Sequence, residues 1–181
     1  MNTKNNKAER AHKLAYDFDI KYSECSQATF YALCKVYDID DDYMFKGMGA
    51  IAGGGLHRCD GSCGVYLASI FFLGMFSGRG LKDLDVDKDD PSAFKKMYTM
   101  FGLGDKIYKK FIDSYGSVKC DDIQRKLLGR AYYLRDDDEC EKFRADGGYT
   151  IEVGPGVVSS GAKWTVEILD DFLKKRNSNK K

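Results

Sequence analysis

Cysteine is the residue type in this chain that most clearly offers chemistry. The N-terminal residues are polar and charged and lack the apolar segment of a secretory signal, so we expect a cytoplasmic protein. Stable disulfides are disfavoured in that compartment, where clustered cysteines more often bind metal or do redox work. The 181-residue sequence contains six cysteines, which are Cys25, Cys34, Cys59, Cys63, Cys120 and Cys140.

Three of these cysteines stand where the sequence predicts that a helix begins. Cys25 lies at the start of a predicted helix over 24–37, Cys63 precedes the apolar run 65–76, and Cys120 lies beside the start of a helix that ends at 128. The free N–H groups and the positive dipole end of a helix N-terminus lower the pKa of a thiol. Cys140 lies in an acidic segment predicted to be a loop. The cysteines are too far apart in sequence for a local zinc knuckle, so only the fold could bring them together.

Hydrophobic periodicity predicts the elements that must position the cysteines. Apolar residues recur at helical spacing through most of the chain, and no stretch shows the sustained alternation of a sheet. Gly102 and Gly104 interrupt the long helix that Pro91 opens, so we expect a kink or a break there. Residues 149–153 could form a short strand. We predict an all-α, single-domain bundle of six to seven helices over residues 1–181, with an irregular or β-like flap near 141–156 and a frayed tail at 174–181.

Composition excludes several classes of partner. The 29 Lys and Arg nearly balance the 28 Asp and Glu, so binding of nucleic acid or a membrane surface by bulk charge is not expected. The apolar run 65–76 is too short to span a bilayer and is more typical of a buried helix. A homodimer is compatible with the apolar helices and the 13% aromatic content.

The motifs around the cysteines resemble a known family. The segments are SECSQATFYAL around Cys25, GAIAGGGLHRCDGSCGVYLA around Cys63 and YGSVKC at Cys120, followed by Cys140 and by GVVSSGAKWTVEIL near the end. They are similar to the C_GCAxxG_C_C family of redox-active proteins over about residues 10–170. The chain departs from the motif at Val65, where Ala is expected, and at Ala68, where Gly is expected. The stretch near 141–156 also looks longer than in the family.

The resemblance implies a cofactor. The arrangement is more distantly similar to the cysteine-containing part of split-Soret cytochromes, which carries an iron–sulfur centre. This implies an iron–sulfur cluster, most simply [2Fe–2S], bound by Cys25, Cys63, Cys120 and Cys140. A covalent c-type haem is excluded because the chain has no CxxCH motif.

The segment between residues 53 and 63 offers further site residues. Cys59 and Cys63 are four residues apart, so a helix would place both on one face. Cys59 is an alternative to Cys140 as a ligand, or a partner of Cys63 in a dithiol, in which one thiolate attacks a disulfide and the other resolves it. His57 is predicted to be a solvated loop residue, with cluster ligand or proton donor as rival roles. Cys34 lies in an apolar helical pattern and is expected to pack in the core.

Three consecutive glycines, Gly53, Gly54 and Gly55, precede this segment. They are not a phosphate-binding loop, because no Gly-Lys-Ser/Thr follows and no strand precedes them. We expect the backbone here to approach the cysteines closely, with N–H groups of Gly54 and Gly55 binding cluster sulfurs and raising the potential. A plain flexible link is the alternative.

Taken together, the residues and the resemblance predict an iron–sulfur protein that transfers electrons or senses redox state. Its partner would be a redox protein or a small electron carrier. A thiol–disulfide protein that uses Cys59 with Cys63, or Cys25 with Cys63, is the alternative, and a Zn or Cu thiolate module is a third. No general acid–base pair stands out, so the sequence does not argue for an enzyme acting on a substrate.

Overall fold

The computed structural model describes residues 3–84 and 91–178, and these residues form eight α-helices. The all-α prediction is confirmed, although the helices number eight rather than six to seven. Two 3-10 helices, Gly49–Gly54 and Leu81–Asp83, lie in the connections. The α-helices are α1 (Thr3–Tyr22), α2 (Cys25–Tyr37), α3 (Asp42–Met48), α4 (Gly64–Ser77), α5 (Pro91–Tyr115), α6 (Cys120–Leu128), α7 (Asp137–Ala145) and α8 (Gly154–Ser178).

The core forms where α1, α2, α4 and α8 pack together. Helix α1 presents alanines at helical spacing, and the small side chains let α8 approach closely. At Gly161 of α8 a Cβ atom would overlap the side chain of Val65, so this glycine permits α8 to cross α4. The largest fully buried side chains of these four helices are Phe30, Leu33, Val65, Phe72, Leu73, Val158, Val166 and Leu169.

Helix α5 is one continuous element of 25 residues, so the break predicted at Gly102 and Gly104 is wrong. Its apolar stripe of Leu103, Ile107 and Phe111 is buried, and packing of that stripe outweighs the low helix propensity of the two glycines. The helix runs antiparallel to α4, since the rings of Phe111 and Tyr66 lie 5.6 Å apart at one end and Met100 Sδ lies against Gly74 and Gly78 at the other.

The acidic run before Cys140 begins a helix rather than forming the predicted loop. Asp136 caps α7 by accepting a hydrogen bond from the Glu139 N–H at 3.0 Å, and the acidic residues of the first turn favour the positive end of the helix dipole. Residues 146–153 form turns, so the irregular part of the predicted flap is shorter than expected and has no β character. Helix α8 continues to Ser178, so residues 174–178 of the predicted frayed tail are helical.

No helix within residues 3–84 and 91–178 is both long enough and apolar enough to cross a bilayer.

Candidate functional site, a cysteine cluster

Three cysteines lie at helix starts, as the sequence predicts. Cys25 and Cys120 are the first residues of α2 and α6, and Cys63 immediately precedes α4. The segments before α4 and α6 are joined by two backbone hydrogen bonds, in which the Cys63 N–H donates to the Val118 carbonyl at 2.8 Å and the Cys120 N–H donates to the Gly61 carbonyl at 2.9 Å. This short pairing fixes Cys63 beside Cys120 although they are distant in sequence.

Cys59 forms a pair with Cys120. The loop that carries Cys59 is not helical, because Cys59 has a left-handed backbone with φ of +64° and its N–H donates to the Gly53 carbonyl at 2.7 Å. Its side chain is buried, and Gln124 Nε2 donates to Cys59 Sγ at 3.4 Å and to Cys120 Sγ at 3.7 Å. One side-chain amide therefore bridges the two sulfurs.

The two thiols of this pair differ sharply in acidity. The Cys120 thiol donates a hydrogen bond to Cys59, and this bond lowers the pKa of Cys59 to about 6. Burial raises the pKa of Cys59, whereas the Leu134 N–H and the Gln124 amide lower it further. The same hydrogen bond and burial raise the pKa of Cys120. Within the pair, Cys59 is therefore the thiol that ionises more readily.

Gln124 is not among the site residues predicted from the sequence. Its Oε1 accepts a hydrogen bond from the Tyr132 N–H at 2.8 Å, which holds the amide with its nitrogen toward the sulfurs. The available signal was position, because Gln124 follows Cys120 by four residues and therefore lies on the same face of a helix.

Cys25 and Cys63 form the second pair. The Gly53 N–H donates to Cys25 Sγ at 3.5 Å, and a Cβ atom on Gly64 would lie 2.8 Å from that sulfur. Burial, followed by the neighbouring Cys63, raises the pKa of Cys25. Burial also raises the pKa of Cys63, against the opposing effect of the Tyr66 and Val65 N–H groups at the start of α4. Both shifts favour the neutral thiol.

The glycine run approaches the cysteines as expected, but through different atoms. The N–H that reaches a sulfur belongs to Gly53, rather than to Gly54 or Gly55. A Cβ atom on Gly54 would lie 3.0 Å from Cys59 Cα and 3.1 Å from Cys120 Cβ. The absence of a side chain at Gly54 therefore allows Cys59 and Cys120 to pack against the glycine backbone. Gly55 has φ of +90° and contacts nothing within 4 Å of a Cβ position, so it serves the turn.

A cavity of about 100 Å³ lies against the cysteines. Cys25, Cys63 and Cys120 border it on one side, and Phe143 and Tyr149, from α7 and the turn that follows it, border it on another. The lining is mainly apolar, and a space of this size could hold a group of a few atoms. The cavity is therefore a sheltered space beside thiols.

Ionisable side chains lie beside this site. Asp19 is 4% exposed, and burial, followed by the charge of Glu24, raises its pKa to about 7. His57 Nε2 lies 3.2 Å from Glu24 Oε1, and this hydrogen bond raises the pKa of His57. His57 lies in a turn, as predicted, but it is half-buried and borders the cavity, so it is less solvated than expected.

The other two cysteines lie apart from the two pairs. Cys140 is on α7 with its Sγ 3.9 Å from the Tyr149 hydroxyl, and, like Cys59, it is not among the described residues that border the cavity. Cys34 is 8% exposed and packs in the hydrophobic core, in agreement with its predicted packing role.

The four cysteines at helix starts and in the Cys59 loop offer thiol ligands in two pairs. Among the described residues, no three Cys, His, Asp or Glu side chains converge on one metal-ion position. Four cysteines in two pairs, Cys25 with Cys63 and Cys59 with Cys120, supply the number and type of ligand that a binuclear iron–sulfur centre takes. The Gln124 amide donates to the Cys59 and Cys120 sulfurs, and the Gly53 N–H donates to the Cys25 sulfur. Cluster-bound thiolates accept hydrogen bonds of this kind.

Comparison with known proteins gives one match. A family model described as "Putative redox-active protein (C_GCAxxG_C_C)" matches residues 23–152, which is more than half of the chain and includes all six cysteines. No curated protein and no solved structure shows a significant match.

Proposed function

The chain belongs to the C_GCAxxG_C_C family of redox-active proteins, and from this premise we propose that its cysteine cluster holds a [2Fe–2S] centre for electron transfer or redox sensing. The observation that carries the proposal is that Cys25, Cys63 and Cys120, from three separate segments, border one small cavity, and that Cys59 shares the Gln124 amide with Cys120. Cys25 and Cys63 would hold one side of the centre, and Cys59 and Cys120 the other.

The proposed ligand set contains Cys59 instead of Cys140. Cys59 shares the Gln124 amide with Cys120, whereas the polar neighbour of Cys140 is the Tyr149 hydroxyl at 3.9 Å. The sequence resemblance alone implies Cys140 as the fourth ligand. The shared Gln124 amide favours Cys59, which the sequence offers as the alternative fourth ligand.

The acidity of the thiols supports a cationic occupant. Burial raises the pKa of Cys25 and Cys63, so neither thiol ionises at neutral pH without a compensating charge. A bound metal cation is the strongest such charge and deprotonates coordinating thiols outright. The chain therefore places two protonated thiols where a metal would convert them to thiolates.

The surrounding residues would set the potential. An iron–sulfur centre supplies reversible one-electron chemistry when bound. The N–H groups of Gly53 and Gln124 favour the state with more negative charge and so raise the reduction potential. Phe143 and Tyr149 exclude water from the cavity side. The electron would come from a redox protein or a small carrier.

Anaerobic purification, followed if needed by reconstitution with iron and sulfide, tests the proposal. We expect a coloured protein with about two irons and two sulfides per chain and the visible spectrum of a [2Fe–2S] centre. A protein that stays colourless and free of iron after reconstitution would contradict it. Elemental analysis for zinc and copper tests the third function.

A thiol–disulfide function is the second candidate, and one observation favours it. The pKa of Cys59 is lowered by a hydrogen bond from the Cys120 thiol, so nucleophile and resolving thiol are adjacent. Cys59 would attack a small disulfide and release one thiolate. Cys120 would then attack the mixed disulfide, passing its proton to the second thiolate that leaves. The pairing differs from Cys59 with Cys63 or Cys25 with Cys63, which the sequence suggests.

Counting free thiols in metal-free protein separates this candidate from the first. We expect two fewer thiols after oxidation with a small disulfide, with full recovery on reduction. In Cys120→Ser we expect one fewer thiol, because the mixed disulfide on Cys59 then has no resolving thiol. An unchanged count in the parent protein would rule out the dithiol function and leave the metal proposal untouched.

A further inference from the structure

An open apolar groove lies between α4 and α5, away from the cavity beside the cysteines. Its volume is about 1130 Å³. Phe71 of α4 is 41% exposed and Phe101 of α5 is 48% exposed, and both line the groove. Ile70 and Met75 continue one wall, and Met97 continues the other. Contiguous exposed apolar surface of this kind marks an interaction site in a monomeric chain.

The floor of the groove is built for close approach. Gly74 of α4 and Gly78, which follows the helix, lie against Met100, with positions for a Cβ atom 3.4 and 3.5 Å from Met100 Sδ. Because these two glycines have no side chains, the groove is deeper along this part of α4, and the flexible Met100 side chain lies over it. Methionine adapts readily to a partner surface.

The charges of the groove lie at its two ends. Arg79 follows the C-terminus of α4, and Asp105 lies near Tyr66 at the opposite end, because α4 and α5 are antiparallel. From Tyr66 to Arg79 the separation is about 20 Å at 1.5 Å per helical residue. Within the described residues, no side-chain ion pair engages either group. The groove therefore has a positive end, an apolar middle and a negative end.

We propose that the α4–α5 groove is the interface of a symmetric homodimer. A two-fold axis through the middle of the groove would exchange its ends, so that Arg79 of each chain meets Asp105 of the partner subunit. The same patch on both chains is then self-complementary in charge as well as in apolar character, which an isologous interface requires. The exposed rings of Phe71 and Phe101 would form its centre.

The interface would also cover one wall of the cysteine cluster. Ile51 and Tyr66 line the groove, and their backbones contact the site: a Cβ atom on Gly64 would lie 2.9 Å from the Ile51 carbonyl oxygen, and the Tyr66 N–H is directed at the Cys63 sulfur. Dimerisation would keep water from this wall. The proposal stands independently of the redox function.

Mass measurement of the full chain by analytical ultracentrifugation and native mass spectrometry tests the interface. We expect a dimer at micromolar concentration. Phe101→Asp should give a monomer, because it places a charge in the apolar centre. Tyr43→Asp is the control, since Tyr43 is 89% exposed on α3 and does not line the groove. A monomeric parent, a higher oligomer, or a dimer that survives Phe101→Asp would overturn the proposal.

Charge reversal tests the symmetry and does not disturb the fold, because neither side chain lies in the core. Arg79→Asp and Asp105→Arg should each weaken the dimer at least about tenfold, since each places like charges opposite one another at both ends. The double variant should recover the parent affinity to within about threefold, since it restores opposite charges at both ends. Failure of the double variant to recover would overturn the two-fold arrangement. The iron content of each variant, measured in parallel, reports separately on the cysteine cluster.

Discussion

Gly64 lies so close to Cys25 that a Cβ atom on the glycine would stand 2.8 Å from the cysteine sulfur. The first residue of α4 thus makes room for the first residue of α2. Gly64 follows Cys63 in the sequence, but the residue that requires a glycine there is Cys25, the partner of Cys63. Four tests of the site follow from contacts of this kind.

Gly64→Ala should destabilise the protein by about 1–3 kcal/mol, because the new methyl group would overlap Cys25 Sγ and the Ile51 carbonyl oxygen, which is 2.9 Å from the Cβ position. The free energy of unfolding in urea measures the effect. Gly102→Ala is the matched control, since nothing lies within 4 Å of its Cβ position in α5. That control should stabilise the protein by up to about 1 kcal/mol. Equal behaviour of the two variants would contradict the close approach.

Gln124→Leu should raise the pKa of Cys59, because the thiolate loses the amide donor at 3.4 Å. The change also leaves the buried Tyr132 N–H without its acceptor, which costs about 1–3 kcal/mol of stability. The thiolate absorbance of metal-free protein, followed against pH, measures the acidity. Gln27→Leu removes an amide that bonds the Phe45 carbonyl and should leave this titration unchanged. If both variants titrate as the parent does, Gln124 does not stabilise the thiolate.

Asp19 should make stability depend on pH. Its pKa of about 7 in the folded protein exceeds the ordinary 3.8, so between those values the folded state keeps a proton that the unfolded state has lost. The free energy of unfolding therefore falls as pH rises from about 4 to about 7. Asp19→Asn should remove this fall and raise stability at pH 7 by up to about 4 kcal/mol.

Urea unfolding of metal-free protein at a series of pH values measures the Asp19 effect. Glu152→Gln serves as the control because Glu152 is exposed, and it should keep the pH slope of the parent. A slope of the same size in Asp19→Asn and the parent would show that this carboxyl is ionised in the folded protein.

Cys59→Ser and Cys140→Ser should separate the two candidates for the fourth ligand. Cys59 shares a donor with Cys120, whereas Cys140 contacts Tyr149. We expect Cys59→Ser to lose most of the bound iron and Cys140→Ser to keep it. Iron and sulfide analysis after identical reconstitution measures the difference. The reverse result would assign the fourth position to Cys140.

Much of the fold could be predicted from local pattern. Helical spacing of apolar residues gave the all-α class, and Pro91 marked the start of α5. The break expected at Gly102 and Gly104 failed because burial of Leu103 and Ile107 outweighs propensity. Helix α7 was missed because its first turn is acidic and polar, although Asp136 supplies a cap that the sequence displays.

Some features of the candidate site could likewise be predicted from local sequence, and others could not. Sequence alone determined that Cys25, Cys63 and Cys120 lie at helix starts, because caps and periodicity act over a few residues. Only the tertiary structure decided that Cys59 pairs with Cys120 while Cys140 lies beyond Tyr149. Those choices depend on a left-handed turn, on two hydrogen bonds between distant segments and on the packing of α6, and such long-range contacts leave no periodic signal in the chain.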